Sequence, residues 1–137
     1  MEKQTKSDEQ VLAELAEATN GLLFMSESDY PFQTFRWEAA TEISADYLRK
    51  LTGKSSDAPV RIQSVEDFFG AATSLPEWKQ EQERDTAKRY QSLVQLLKEN
   101  LPDAKVYRVG EISIEVFIVG KSHAGNWLGL STKVIET

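Results

Sequence analysis

Cysteine is absent from this 137-residue chain, and histidine occurs once, at His123 in a Gly/Ser-flanked stretch. The first absence excludes disulfides and thiolate chemistry. The two together exclude the common ligand sets of zinc. No run approaches the ~18 consecutive apolar residues of a membrane span, and the opening MEKQTKSDEQ lacks an apolar signal core. A cytoplasmic protein is the expectation. Basic charge is also short: 16 Lys and Arg face 22 Asp and Glu, a net charge of −6. Direct binding to nucleic acid or to an anionic membrane needs a basic footprint, so this balance suits a basic protein partner.

What is present reads as one globular domain over residues 1–137, since 40% hydrophobic and 28% charged residues are ordinary values for a soluble core. Ser7 or Asp8 caps a first helix with Val11, Leu12, Leu15 and Ala18 on its apolar face, and Asn20-Gly21 stops it. LLFMS (22–26) is expected as a short buried strand, broken at Pro31, and TFRWEA (34–39) as a second extended piece. A helix around 43–52 carries Ile43, Tyr47, Leu48 and Leu51 on one side, with Gly53 after it, and PVRIQ (59–63) is a further strand. Ser64, three residues before Asp67, opens a helix bearing Phe68 and Phe69.

The longest periodic segment runs from about Pro76 to Leu101, with Trp78, Ala87, Tyr90, Leu93, Val94 and Leu97 at helical spacing. The last third changes period. In KVYRVGEISIEVFIVG, Ile112, Ile114, Val116 and Ile118 alternate with Ser113, Glu115, Phe117 and Val119, a Gly-Glu turn at 110–111 makes a hairpin, and GKSHAGN joins it to a final strand, WLGLSTKVI. The order predicts an α/β (α+β) sandwich with a mixed, largely antiparallel sheet and helices on both faces.

Catalytic signals are weak. GKS at 120–122 echoes a phosphate-binding loop, but the motif needs glycine where Glu115 stands. Glu81, Glu83 and Asp85 lie two apart, which scatters them around a helix. No catalytic residue, cofactor, small-molecule substrate or metal of its own is expected. Two acidic places stand out. Residues 27–46 hold Glu27, Asp29, Glu38, Glu42 and Asp46 against the single base Arg36. The second place is the end, GLSTKVIET, where a strand-like run delivers Glu136 and the Thr137 carboxylate.

LLFMSESDYPF (22–32), VYRVGE (106–111), AGN (124–126) and STKVIET (131–137) together resemble the nuclease A inhibitors of bacteria, with a likeness running from about residue 8 to the end. The resemblance implies a three-layer α/β/α sandwich similar to the PR-1 proteins. It also implies an acidic protein that binds and silences a sugar-nonspecific, Mg²⁺-dependent ββα-metal nuclease. Its contacts carry over to Glu27, to the Thr137 carboxylate beside Glu136, directed toward the partner's magnesium, and to Glu77 and Trp78. The family has aspartate where this chain has Glu77, one methylene longer. The chemistry agrees: a nuclease that cuts any sequence grips phosphates with Arg and Lys beside a hydrated metal, and fixed carboxylates can take the place of phosphate. Two other readings stay open. One is an acidic interaction module with a non-nuclease partner, and the other a carboxylate-based metal enzyme. Trp78 fits core and interface equally.

Overall fold

The first element starts at a reciprocal capping box. Ser7 Oγ accepts from the Gln10 amide at 3.2 Å while Gln10 Oε1 accepts from the Ser7 amide at 2.9 Å. That satisfies two donors at the exposed start of α1 (Asp8–Thr19). The structure is a computed structural model that describes residues 6–24, 28–73 and 80–136. β1 (Leu23–Phe24) and β2 (Tyr30–Pro31) form a short antiparallel ladder, and β3 (Gln33–Trp37) follows. α2 (Ala45–Thr52) lies between the Ser44 cap and Gly53. β4 (Val60–Ser64) turns directly into α3 (Val65–Thr73), where Ser64 Oγ accepts from the Asp67 amide at 3.0 Å. Then come α4 (Glu81–Asn100), β5 (Lys105–Val109), β6 (Ser113–Lys121) and β7 (Trp127–Ile135).

Five strands pair antiparallel in the order β3-β7-β6-β5-β4. Alternate side chains leave the sheet on opposite faces. Val106, Val116, Ile118, Leu128, Leu130 and Val134 pack beneath α1, α3 and α4, against Leu15, Phe69, Leu93 and Leu97. Val109 and Phe117 point the other way, to Leu48 of α2 and the half-buried Phe35, Trp37 and Tyr47. The result is helix, sheet, helix: the three-layer α/β/α arrangement expected. Gly129 lets the Phe35 ring cross β7, because a Cβ there would stand 3.0 Å from Phe35 Cζ and collide with the Ile118 carbonyl.

Several details correct the sequence reading. Ile112 is not part of the buried stripe; it is 59% exposed in the turn before β6. Phe117 and Val119 are buried as well as Ile114, Val116 and Ile118, since β6 is the central strand and has helices on both sides. Leu51 of α2 stays 47% exposed, while Leu48 of the same helix is buried. The extended Gln80 is the N-cap of α4, which begins at Glu81; Pro76 and Trp78, expected in the same periodic segment, lie outside the described residues. The buried strand expected at 22–26 reduces to Leu23–Phe24, with Leu23 44% exposed and Met25 and Ser26 outside the described residues.

Candidate functional site

The register defines two ends of the sheet. At the near end Ser113 faces Ile135, Glu115 faces Val109 and Val60 faces Val109. At the far end Lys121 faces Trp127, Trp37 faces Trp127 and Ser64 faces Lys105. Chain direction then decides what gathers where. α3 leaves β4 at the far end and runs back, with Glu66 paired to Lys98 at 2.6 Å near its start. Gln91 Nε2 donates to the Thr73 carbonyl at 2.9 Å near its finish. α4 has 20 residues and is about 30 Å long, whereas the 9-residue α3 spans about 13 Å, so α4 projects beyond α3 toward the near end. The step between them is a hollow of about 510 Å³ lined by Phe24, Phe68, Ala72, Glu83, Thr86 and Tyr90.

The β1–β2 ladder is fixed to the same end from behind. Tyr90 Oη donates to the Leu23 carbonyl at 2.5 Å, and Phe24 stacks on Phe68 with centroids 4.5 Å apart. Burial pushes the Tyr90 phenol up to about 12, so it remains a neutral donor throughout the physiological range. Arg89 donates to the carbonyls of Ala18 at 3.0 Å and Asn20 at 2.8 Å, which closes the end of α1. Thr132 of β7 donates to the Pro31 carbonyl at 3.0 Å. Beyond these anchors Ser28 and Asp29 are exposed.

β7 is paired on both sides and ends at the near edge, where the Glu136 amide donates to the Ile112 carbonyl at 2.9 Å. The Glu136 carboxylate meets Arg108 Nη2 at 2.6 Å. Of the expected contact residues, Glu136 is therefore at the near end, exposed and ion-paired. Glu27, Glu77, Trp78 and Thr137 lie outside the described residues. The residues that flank them are Phe24 and Ser28, Thr73 and Gln80, and Glu136. Glu136 follows β7 at the near end, the β1–β2 ladder is tied to β7 through Thr132, and Gln80 caps the end of α4 that projects beyond α3.

Of the acids counted over residues 27–46, the described ones do not form one surface. Glu38 and Glu42 flank a far-end loop, where Thr41 accepts from Trp127 Nε1 at 3.0 Å and Ala39 N donates to Asn126 at 3.2 Å. Asp46 is ion-paired to Arg49 at 3.2 Å. His123 is exposed in the β6–β7 loop, also at the far end. Among the described residues no three His, Cys, Asp or Glu side chains are grouped to hold a metal ion. Sequence reasoning missed the anchors Arg89, Tyr90 and Arg108; the one available signal was a charged residue standing at Arg108 inside the strand VYRV.

A protein-family model described as nuclease A inhibitor-like protein matches residues 9–137, nearly the whole chain. No curated protein sequence matches the chain.

Proposed function

The chain belongs to the nuclease A inhibitor-like family, and from that premise we propose that it blocks the active site of a sugar-nonspecific, Mg²⁺-dependent ββα-metal nuclease. Its carboxylates stand in for substrate phosphate. The near end of the sheet is the contact surface, with Glu27 from the β1–β2 turn, Glu77 and Trp78 from the α3–α4 connection, and Glu136 and Thr137 after β7. The Thr137 main-chain carboxylate, in a chain ending there, approaches the partner's hydrated magnesium. The protein itself performs no catalysis.

One observation supports the reading: a described residue shortly before each of the three segments is held in place, Leu23 by Tyr90, Thr73 by Gln91 and Glu136 by Arg108. Anchoring in advance lowers the ordering cost of association. A net charge of −6 complements a phosphate-gripping cleft and speeds encounter. The test is a titration of nuclease A on plasmid DNA with Mg²⁺, repeated from low to high salt. The reading requires stoichiometric inhibition that weakens as salt rises. Undiminished nuclease activity at excess protein contradicts it.

A further inference from the structure

Across the β4–β5 ladder Arg61 stands directly opposite Arg108. Like charges in that relation repel. The compensating anion is brought from two strands away: Glu136 places Oε1 2.6 Å from Arg108 Nη2, while Arg108 Nη1 reaches Gln63 Oε1 at 3.4 Å. Arg108 is only 20% exposed, whereas Glu136 is 54% exposed. The cation is thus the fixed member and the chain end the member that is held. A hollow of about 210 Å³ lined by Arg61, Arg108, Gly110, Glu111, Ile114 and Glu136 surrounds the pair.

The turn beneath is also fixed. Gly110 has φ 115°, and a Cβ there would stand 2.5 Å from the Ser113 carbonyl. Gly110 N donates to the Pro59 carbonyl at 2.9 Å, and Lys54 Nζ donates to the Ser113 carbonyl at 2.7 Å. Ile112, between these fixed points, accepts the Glu136 amide. The chain after β7 is consequently held twice, by its amide on the β5–β6 turn and by its side chain on Arg108.

We propose that Arg108 is a positioning residue for inhibition. It orders Glu136, and through it sets the direction in which the chain leaves β7 toward the nuclease, without touching the partner. This rests on the reading that the segment after β7 is a contact. It gives Glu136 a role distinct from that of a free surface anion: its charge is already matched within the protein, so its part is to aim the next residue.

The experiment has two arms. In the first, amide exchange is measured by NMR on the isolated protein and on the Arg108→Gln variant. The Glu136 amide is expected to exchange about tenfold faster in the variant, while the Val134 and Ile114 amides are unchanged. Unchanged Glu136 exchange overturns the proposal with no nuclease present. In the second arm Arg108→Gln is placed in the unaltered chain and in one extended by four residues, and nuclease A inhibition is titrated for all four proteins. Arg108→Gln is expected to weaken inhibition about tenfold in the unaltered chain, equivalent to ~1.4 kcal/mol, and to have no further effect once the end is extended. Arg108→Lys, which keeps a cation there, should fall between. An equal loss on both backgrounds overturns the proposal, because Arg108 would then act independently of the end. Loss on extension with none from Arg108→Gln overturns it alone. Full inhibition by the extended chain overturns the contact reading and the proposal together.

Discussion

The two ends of the sheet handle polar groups differently. At the far end they are tied to one another. Asp8, 5% exposed, accepts from Asn126 Nδ2 at 2.8 Å, Asn126 accepts from Ala39, and Trp127 donates to Thr41. At the near end the anchoring donors, Arg89, Tyr90 and Arg108, grip the carbonyls of Ala18 and Leu23 and the carboxylate of the exposed Glu136. The far end is a hydrogen-bonded network that ties loops together. The near end is a frame whose anchors leave their neighbours available to a partner. Burying polar groups with their partners contributes stability, while ordering an exposed segment in advance contributes to binding. Substitutions at the two ends should therefore separate these effects.

The largest effect is expected at Glu27. Glu27→Gln should weaken nuclease binding by about 2–5 kcal/mol, the usual consequence of removing one member of a desolvated charge pair. Its thermal midpoint should match that of the unaltered protein. An unchanged dissociation constant removes Glu27 from the contact surface.

At the far end the opposite pattern is expected. The Ser122 hydroxyl beside Asp8, with help from the Asn126 amide and the positive field of Arg36, holds the Asp8 carboxyl below its ordinary value of 3.8. A folded-state value below the unfolded one stabilises the fold above the unfolded value, and that contribution is lost as pH falls through the lower folded value. Urea melts should show this loss below pH 3.8, and Asp8→Asn should remove that component. The substitution should lower stability by about 1–3 kcal/mol at neutral pH and leave inhibition intact. A binding defect in a folded Asp8→Asn protein would end the separation of the two ends.

Tyr90→Phe sharpens the comparison from the near side. It removes one hydrogen bond to Leu23 and should lower stability by about 1 kcal/mol. Inhibition should weaken with it, because the β1–β2 ladder loses its fixed setting. Smallest of all, Glu38→Gln and Glu42→Gln should each change stability and binding by less than about 0.5 kcal/mol, as exposed far-end acids without a structural role. Calorimetry and the nuclease titration measure both.

Much of the frame was legible because it is written locally. The Ser7 cap, the Ser64 cap, the Gly53 stop and the alternation in β6 each sit within a few residues of sequence. Ile112 and Leu51 were misplaced because exposure depends on which layer covers a side chain, and that is settled by sheet order. The same reason hid Arg108: its repulsive neighbour Arg61 and its counter-ion Glu136 are adjacent only through the β4–β5 and β5–β6–β7 pairings. Glu27 and the Glu136–Thr137 end stood out as acidic places in the sequence itself, whereas Glu77 and Trp78 came from family likeness alone, because nothing in their local pattern separates a contact from a helix start.

The central claim is that the main-chain carboxylate of Thr137 acts as an anionic probe. The direct measurement compares nuclease A inhibition by the 137-residue chain with that by the same chain carrying a C-terminal amide, which removes one charge with almost no change of shape. The account predicts inhibition weaker by about tenfold or more, ~1.4 kcal/mol per decade, with an identical thermal melt. Equal inhibition by the two proteins would contradict it.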